Sequence, residues 1–262
     1  MSEKKSLVNH YAEAYERLAN IPQLLDEAEI HFFASLIPKD GVQYRVLDLG
    51  CAEGKLSILL AKAGHEVTAA DISQNYLNKA IQNAKETGLS IKFAKCNIEE
   101  GTSTLPRDYF DFIYFLNVIE HVKNPVDSLN NIRSLLSEKG RLFLNTPNIL
   151  TTVNFRRTFI ECLKKEYDKP PKPVCFHLSG YDYRALELML SFVGFKSRLI
   201  VDKKALYKER ARLTKMGLTK RIRESFPQLF PLFTSDLLIE CAKCDPFDID
   251  ELICDWEKEY IK

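Results

Sequence analysis

The chain has 262 residues, a formal net charge of +1 and a sequence pI near 7.6. This length suits one α/β domain with insertions, and the near-neutral charge argues against a surface coated in positive charge for nucleic acid. The longest apolar runs, such as Leu56 to Ala63, are far shorter than a membrane span, and the first residues do not begin a signal peptide. We therefore expect a cytoplasmic protein whose seven cysteines are reduced thiols.

The N-terminal region, residues 6 to 37, carries two helical patterns divided around Pro22. We expect them to form a cap, residues 1–41, beside the main ligand cleft. The predicted apolar face of the second helix consists of Leu24, Leu25, Ala28, Phe32 and Leu36.

The segment Arg45 to Gly54 predicts a buried parallel strand, a glycine loop and a helix that begins near Glu53. Glycines at 50 and 54 permit a tight turn with the backbone close to a ligand. The dinucleotide fingerprint G-x-G-x-x-G is absent, and Glu53 stands where a pyrophosphate needs the helix N-terminus. The loop therefore disfavours NAD and FAD.

The run Val-Leu-Asp-Leu-Gly-Cys-Ala-Glu-Gly resembles the first motif of the class I S-adenosylmethionine-dependent methyltransferases. The resemblance implies S-adenosyl-L-methionine as cofactor, a ligand with a sulfonium and an amino acid but no phosphate. A different doubly wound domain with a glycine-rich first turn is the alternative. Ala52 replaces the usual second glycine. The residues that the resemblance assigns to the cofactor here are Asp48, Gly50, Cys51, Ala52 and Gly54.

The next helix is predicted to end at Gly64, and Glu66 to Ala70 forms the second strand. Asp71 follows that strand, where this fold presents an acidic side chain to ribose hydroxyls, with Ile72 beside it. The alternative is that Asp71 or Ser73 only caps the following helix. That helix carries Leu77, Ala80, Ile81 and Ala84 at helical spacing.

Two further strand ends are expected to contribute to the cofactor site. Ile91 to Lys95 is the third strand, and the resemblance places Asn97, followed by Ile98, at the exocyclic amine of the adenine. Asn97 stands in place of the usual acidic residue, and its carbonyl oxygen can still accept that hydrogen bond. Asp111 to Leu116 is the fourth strand, and Asn117 lies at its carboxyl end, where ligands bind in open α/β sheets.

The remaining elements complete a doubly wound, mostly parallel seven-stranded sheet with the Rossmann-like methyltransferase fold. A helix through Leu136, closed by Lys139-Gly140, leads to a fifth strand, Arg141 to Asn145, with a Thr-Pro-Asn exit. A helix through Val193 precedes the sixth strand, Phe195 to Val201, and Asp236 to Lys243 is the seventh. Cys241 and Cys244 have metal-site spacing, but residues three apart on a strand face opposite sides, so the pair can share a metal only if the strand ends between them.

Two long connections, residues 148–181 and 202–235, leave carboxyl ends of strands and should shape the acceptor pocket. Six basic against three acidic side chains give 151–175 a charge of +3, and nine against two give 203–224 a charge of +7. The rest of the chain then carries −9. This asymmetry predicts a cationic lid that steers an anionic acceptor, and an ordinary solvated helix face is the alternative.

The candidate catalytic residues are His121, Glu120 and His177. A base is needed when the acceptor must lose a proton, as a hydroxyl does, although a lone histidine is more often structural. The same three residues resemble the metal-binding set of small-RNA 2′-O-methyltransferases and some ubiquinone-pathway O-methyltransferases. Those families usually add a glutamate where this chain has Asn117, which leaves the metal unknown.

We therefore expect one methyltransferase domain spanning residues 1–262, with a cofactor-binding core at 42–147 and the last strand and an acidic tail at 236–262. The preferred acceptor is a small or medium-sized anionic metabolite, with a surface-glycan or nucleotide-sugar intermediate favoured on soft resemblance. An RNA methyltransferase that uses both basic insertions, and a non-catalytic binding protein that retains the fold, are the alternatives. No residue indicates the oligomeric state.

Overall fold

A computed structural model describes residues 25–101, 104–149, 179–200 and 236–246. The predicted helix before Pro22, His177, nearly all of both insertions and the acidic tail lie outside these ranges. The helices within them are all too short or too polar to cross a membrane.

The described residues form one seven-stranded sheet in the order β3-β2-β1-β4-β5-β7-β6. β7 runs antiparallel to both of its neighbours, and the pairs among β1 to β5 are parallel. This confirms the predicted doubly wound, mostly parallel sheet. The strands are β1 (Arg45–Leu49), β2 (Glu66–Asp71), β3 (Lys92–Lys95), β4 (Phe110–Leu116), β5 (Leu136–Pro147), β6 (Phe195–Ile200) and β7 (Asp236–Lys243).

Five α-helices and one 3₁₀ turn connect the strands in the described ranges. Side-chain caps fix where three of the helices begin: Asp26 before α1, Ser73 before α3 and Asp182 before α5. The elements are α1 (Glu27–Ala34), α2 (Lys55–Lys62), α3 (Gln74–Thr87), the 3₁₀ turn (Ile119–His121), α4 (Pro125–Leu135) and α5 (Tyr183–Phe192).

The predicted apolar face of the N-terminal helix is only partly confirmed. Ile30 and Phe33 are the buried residues of α1, whereas Ala28 is exposed. The capping box formed by Asp26 and Glu29 starts the helix at Glu27, so Leu25 lies before the helix, and Leu24 lies outside the described residues. Phe32 and Leu36 are only partly buried, and they pack against the apolar cluster that contains Ile30 and Phe33.

The boundary between α4 and β5 also differs from the prediction. The helix ends at Leu135, and Leu136 already pairs with Phe110 of β4. Gly140 does not adopt the left-handed conformation of a glycine helix stop. Instead, a Cβ at Gly140 would lie 2.8 Å from the Phe110 carbonyl oxygen, so this glycine allows two strands to approach closely.

Two apolar clusters cover the faces of the sheet, and α1 belongs to the one that contains Val46, Leu60 and Tyr114. Tyr114 of β4 is fully buried, and its hydroxyl donates a hydrogen bond to the Phe33 carbonyl oxygen at 2.9 Å. This bond ties the end of α1 to the centre of the sheet.

Removing the hydroxyl in Tyr114→Phe should lower the free energy of unfolding by about 1 kcal/mol, the usual net value of a buried hydrogen bond. Tyr44→Phe is the matched control, because the Tyr44 hydroxyl donates to Asp40 in an exposed position. Urea unfolding followed by circular dichroism measures both. Equal losses in the two variants would contradict the anchoring of α1 by Tyr114.

Candidate active site

The predicted cofactor residues gather at one edge of the sheet. β3, β2, β1 and β4 are consecutive neighbours and run parallel, so their carboxyl ends meet at the same edge. Each is followed by predicted site residues: Gly50, Cys51, Ala52 and Gly54 after β1, Ile72 after Asp71 at the end of β2, Asn97 and Ile98 after β3, and Asn117 after β4.

The loop after β1 takes the left-handed conformation at alternate residues. The φ angles are 85° at Gly50, 46° at Ala52 and 77° at Gly54. Gly54 is also the N-cap of α2, so the helix begins at Lys55 and the predicted start near Glu53 is two residues early. A Cβ at Gly54 would lie 2.9 Å from the Ala80 Cβ of α3, so only glycine permits this approach.

Ala52 stands where the usual motif has glycine, and its backbone adopts the conformation that glycine adopts without strain. A left-handed alanine costs roughly 1–2 kcal/mol. The backbone N–H of Ala52 donates to Asp71 Oδ2 at 2.9 Å, which stabilises this conformation.

Asp71 thus joins two segments of the site. Its second oxygen, Oδ1, accepts a hydrogen bond from the Ser73 backbone N–H at 2.9 Å. The cap of α3 belongs to Ser73, whose hydroxyl oxygen accepts from the Tyr76 N–H at 3.2 Å. A carboxylate oxygen has two lone pairs and can accept more than one hydrogen bond.

The loop lies among carboxylates. Asp48, at the end of β1, is buried and accepts a hydrogen bond from the Ser57 hydroxyl at 2.6 Å. Burial raises the pKa of Asp48 to about 6, and the negative charge of Asp71 contributes to the rise. Glu53, also in the loop, lies 3.8 Å from the ammonium of Lys55 and 3.7 Å from that of Lys79. An acidic site of this kind suits a ligand with a sulfonium and an ammonium group, and it disfavours a pyrophosphate.

Asn97 and Asn117 complete the edge with amide groups. Asn97 Oδ1 accepts from the Glu99 N–H at 3.1 Å and keeps one lone pair for a ligand amine. Asn117 has φ 53°, a conformation that asparagine tolerates better than most residues. Asn117 Oδ1 accepts from Asn145 Nδ2 at 3.0 Å, so the amide is held by β5.

Glu120 and His121 lie in the 3₁₀ turn after β4. The Glu120 side chain is 2% exposed, and its Oε2 accepts a hydrogen bond from the Thr146 hydroxyl at 3.0 Å. Oε1 has no hydrogen-bond partner within the described structure and lies 3.9 Å from His121 Nε2. Burial raises the pKa of Glu120 to about 7.

The donor set does not suit the divalent cation that the resemblance implies. Within the described ranges no group of three or more His, Cys, Asp or Glu side chains is placed to hold a metal. The Asn117 oxygen already accepts a hydrogen bond, and an amide is a weaker ligand than the glutamate it replaces. His177, the third residue of the resemblance, lies outside the described residues.

Three residues at this edge were not predicted from the sequence. Ser57 pairs with Asp48, Thr146 pairs with Glu120, and Val118 packs so closely on Gly50 that a Cβ there would lie 2.4 Å from Val118 Cγ2. Only Thr146 carried a sequence signal, since it belongs to the Thr-Pro-Asn exit. The other two contacts depend on packing between elements.

The sheet order, the glycine loop and the acidic edge together define a class I methyltransferase domain. A family described as a methyltransferase domain matches residues 40–212 by its sequence profile. The chain therefore belongs to this family of S-adenosylmethionine-dependent methyltransferases, as the first motif predicted.

Known relatives agree with this assignment. The chain is 36% identical over 107 residues to a ubiquinone biosynthesis O-methyltransferase of Actinobacillus pleuropneumoniae, covering 40% of this chain and 46% of the relative. A protein of the same name from Histophilus somni is 31% identical over 165 residues, covering 54% and 69%. The chain thus spans less than half of the first relative's length and about two thirds of the second's.

A solved structure shares the fold. It is the magnesium protoporphyrin IX methyltransferase of Synechocystis PCC 6803 with bound SAH, at a TM-score of 0.56 and 18% identity. The match covers 88% of this chain and 93% of that chain.

Asp71→Ala should weaken S-adenosylmethionine binding by about 1.5–3 kcal/mol, because charge-assisted hydrogen bonds to ribose and the tie to Ala52 are lost together. Ser73→Ala, which removes the cap of α3, should cost about 1 kcal/mol of stability and leave the affinity nearly unchanged. Calorimetric titration and thermal unfolding separate the two effects. An unchanged affinity in Asp71→Ala would remove Asp71 from the cofactor site.

Proposed function

We propose that the protein is an S-adenosylmethionine-dependent O-methyltransferase that acts on a hydroxyl group of a small molecule. The observation that carries the proposal is the buried Glu120 carboxylate beside the His121 imidazole at the carboxyl end of β4. A hydroxyl acceptor must lose its proton during methyl transfer, and this pair provides a base where the fold binds ligands.

The cofactor, when bound, supplies a methyl group on a sulfonium whose positive charge disappears as the new bond forms. In this proposal, residues at the carboxyl ends of the strands bind and position the cofactor. Asp71 binds the ribose, Asn97 with Ile98 lies at the adenine, and the loop from Gly50 to Gly54 positions the amino-acid portion. The negative charge of Asp48 and Asp71 attracts the cationic ligand.

His121 takes the acceptor proton in this proposal, since its side chain is 17% exposed and that of Glu120 is only 2% exposed. Glu120 stabilises the imidazolium that results, as a carboxylate within a few ångströms favours the charged form of histidine. His177 stays a candidate for a second contact with the acceptor.

The acceptor class rests on the base and on the relatives. Both relatives are named for O-methylation in ubiquinone biosynthesis, which supports a hydroxyl as the acceptor group. Neither the described residues nor these relatives support the glycan or nucleotide-sugar acceptor expected from the sequence. The same holds for RNA, because the basic insertions lie outside the described residues.

His121→Ala should lower kcat about 100-fold or more, the usual contribution of a general base, with cofactor affinity nearly unchanged. Activity of the wild type should rise with pH through about 7, since the Glu120 carboxylate is protonated below its raised pKa and then no longer stabilises the imidazolium. Glu120→Gln should lower kcat and change the pH at which the rise occurs, while deprotonation of His121 as the base still makes activity rise with pH. Catechol is a suitable probe acceptor, with formation of S-adenosylhomocysteine as the measured product.

Full activity of His121→Ala with catechol would exclude His121 as the base. The wild type is also assayed with a uridine diphosphate sugar and with a short RNA. Any acceptor class that the wild type does not methylate is excluded.

Removal of divalent cations should leave catechol methylation unchanged, because Asn117 replaces the anionic ligand of the metal-dependent families. The assay compares enzyme treated with EDTA, enzyme with added Mg²⁺ and untreated enzyme. Loss of activity with EDTA and its return with Mg²⁺ would contradict this assignment.

A further inference from the structure

The Thr-Pro-Asn segment at the end of β5 has no role in the cofactor site described above. Thr146 is fully buried, and its hydroxyl donates to Glu120 Oε2 at 3.0 Å across the space between β5 and the 3₁₀ turn. Twenty-six residues separate the two in the sequence. The contact therefore depends on the fold rather than on local chain geometry.

The residues that follow Thr146 pair with the segment from Ser179 to Tyr181, which in turn contacts the 3₁₀ turn. Asn148 forms a bridge with Tyr181, and the Ile149 N–H donates to the Tyr181 carbonyl oxygen at 3.0 Å. Next to it, the Ser179 N–H donates to the Glu120 carbonyl oxygen at 3.2 Å. Glu120 is thus held at its side chain by Thr146 and at its backbone by Ser179, which lie near the two ends of the first insertion.

One carboxylate oxygen of Glu120 accepts a hydrogen bond, and the other has no hydrogen-bond partner among the described residues. Because Oε2 is fixed by Thr146, the orientation of the carboxylate is fixed, and Oε1 lies 3.9 Å from His121 Nε2. Oε1 is buried without a hydrogen-bond partner among the described residues. A buried charged oxygen without a partner is costly, and such atoms occur where a function requires them.

We infer that Thr146 is a positioning residue for methyl transfer, since its hydroxyl fixes one Glu120 oxygen and thereby aims the other at the His121 imidazole. The inference rests on the proposed function for its kinetic consequence, but the geometry that it requires is independent of any acceptor. Thr146 touches neither the reacting atoms nor, in this assignment, the cofactor.

The charge state of Glu120 agrees with this role. Burial raises the pKa of Glu120, and the hydrogen bond from Thr146 opposes that rise by favouring the carboxylate. Valine at position 146 keeps the volume and branching of threonine and removes only the hydroxyl. Glu120 would then be free to rotate within its site, with neither oxygen fixed.

The experiment compares Thr146→Val, Thr146→Ser and the control Thr68→Val in the full chain. Thr68 is a buried threonine of β2 outside the site. Thr68→Val therefore measures the effect on kcat of replacing a buried threonine by valine away from Glu120. With catechol as acceptor, Thr146→Val should lower kcat about tenfold, the kinetic equivalent of one lost hydrogen bond to a charged group. The KM for S-adenosylmethionine should stay unchanged, and Thr146→Ser should restore kcat to within about twofold, since serine retains the hydroxyl donor.

A double-mutant cycle separates positioning from general damage. In a Glu120→Ala background, Thr146→Val should have no further effect on kcat, because the carboxylate that it orients is gone. An equal loss in both backgrounds, or unchanged kcat in Thr146→Val while Glu120→Ala is impaired, would overturn the role of Thr146. If Glu120→Ala and His121→Ala both keep full activity, the proposed function fails instead.

A spectroscopic measurement needs no acceptor. The five histidines are labelled with ¹⁵N, and His121 is assigned by comparison with His121→Ala. At one fixed pH, the ring ¹⁵N shifts of His121 in Thr146→Val should differ from those of the wild type. The shifts in Thr146→Ser and in Thr68→Val should equal the wild-type values. Identical His121 shifts in all variants would overturn the inference even if catechol proves not to be a substrate.

Discussion

The contact on which the cofactor edge depends is the Asp71 carboxylate between two backbone N–H groups. One belongs to Ala52 in the loop after β1, and the other to Ser73 in the turn before α3. The loop needs three left-handed residues in five positions, one of which is an alanine. A part-buried charge-assisted hydrogen bond at that alanine offsets its strain, so the end of β2 determines the shape of the loop that follows β1.

The same carboxylate sets the electrostatics of the site. Asp48 and Asp71 are both buried, and burial together with the negative charge of Asp71 raises the pKa of Asp48. A sulfonium ligand relieves this repulsion, whereas a pyrophosphate adds to it. The negative charge of this edge therefore favours S-adenosylmethionine as the cofactor, as the shape of the glycine loop does.

Short-range patterns predicted much of this fold. The alternation of strands and helices, the glycine loop and the exact bounds of β7 follow from hydrophobic runs and glycine positions. The predicted face of α1 was only partly right, because it left out Ile30 and Phe33, the buried residues of the helix. The end of α4 was wrong because Gly140 serves strand contact instead of ending a helix.

The site was predictable only in part for a similar reason. Residues that directly follow a strand, such as Asp71 and Asn117, are placed by topology once the strands are known. Their partners come from distant segments: Asn145 holds Asn117, and Thr146 holds Glu120. One sequence does not encode such pairs in its spacing, since they arise when β5 packs beside β4.

Isothermal titration calorimetry of the full chain with S-adenosylmethionine and with NAD tests the central claim most directly. The acidic loop and the tie between Asp71 and Ala52 predict saturable binding of S-adenosylmethionine and no heat of binding with NAD. Binding of NAD without binding of S-adenosylmethionine would contradict the account of this edge.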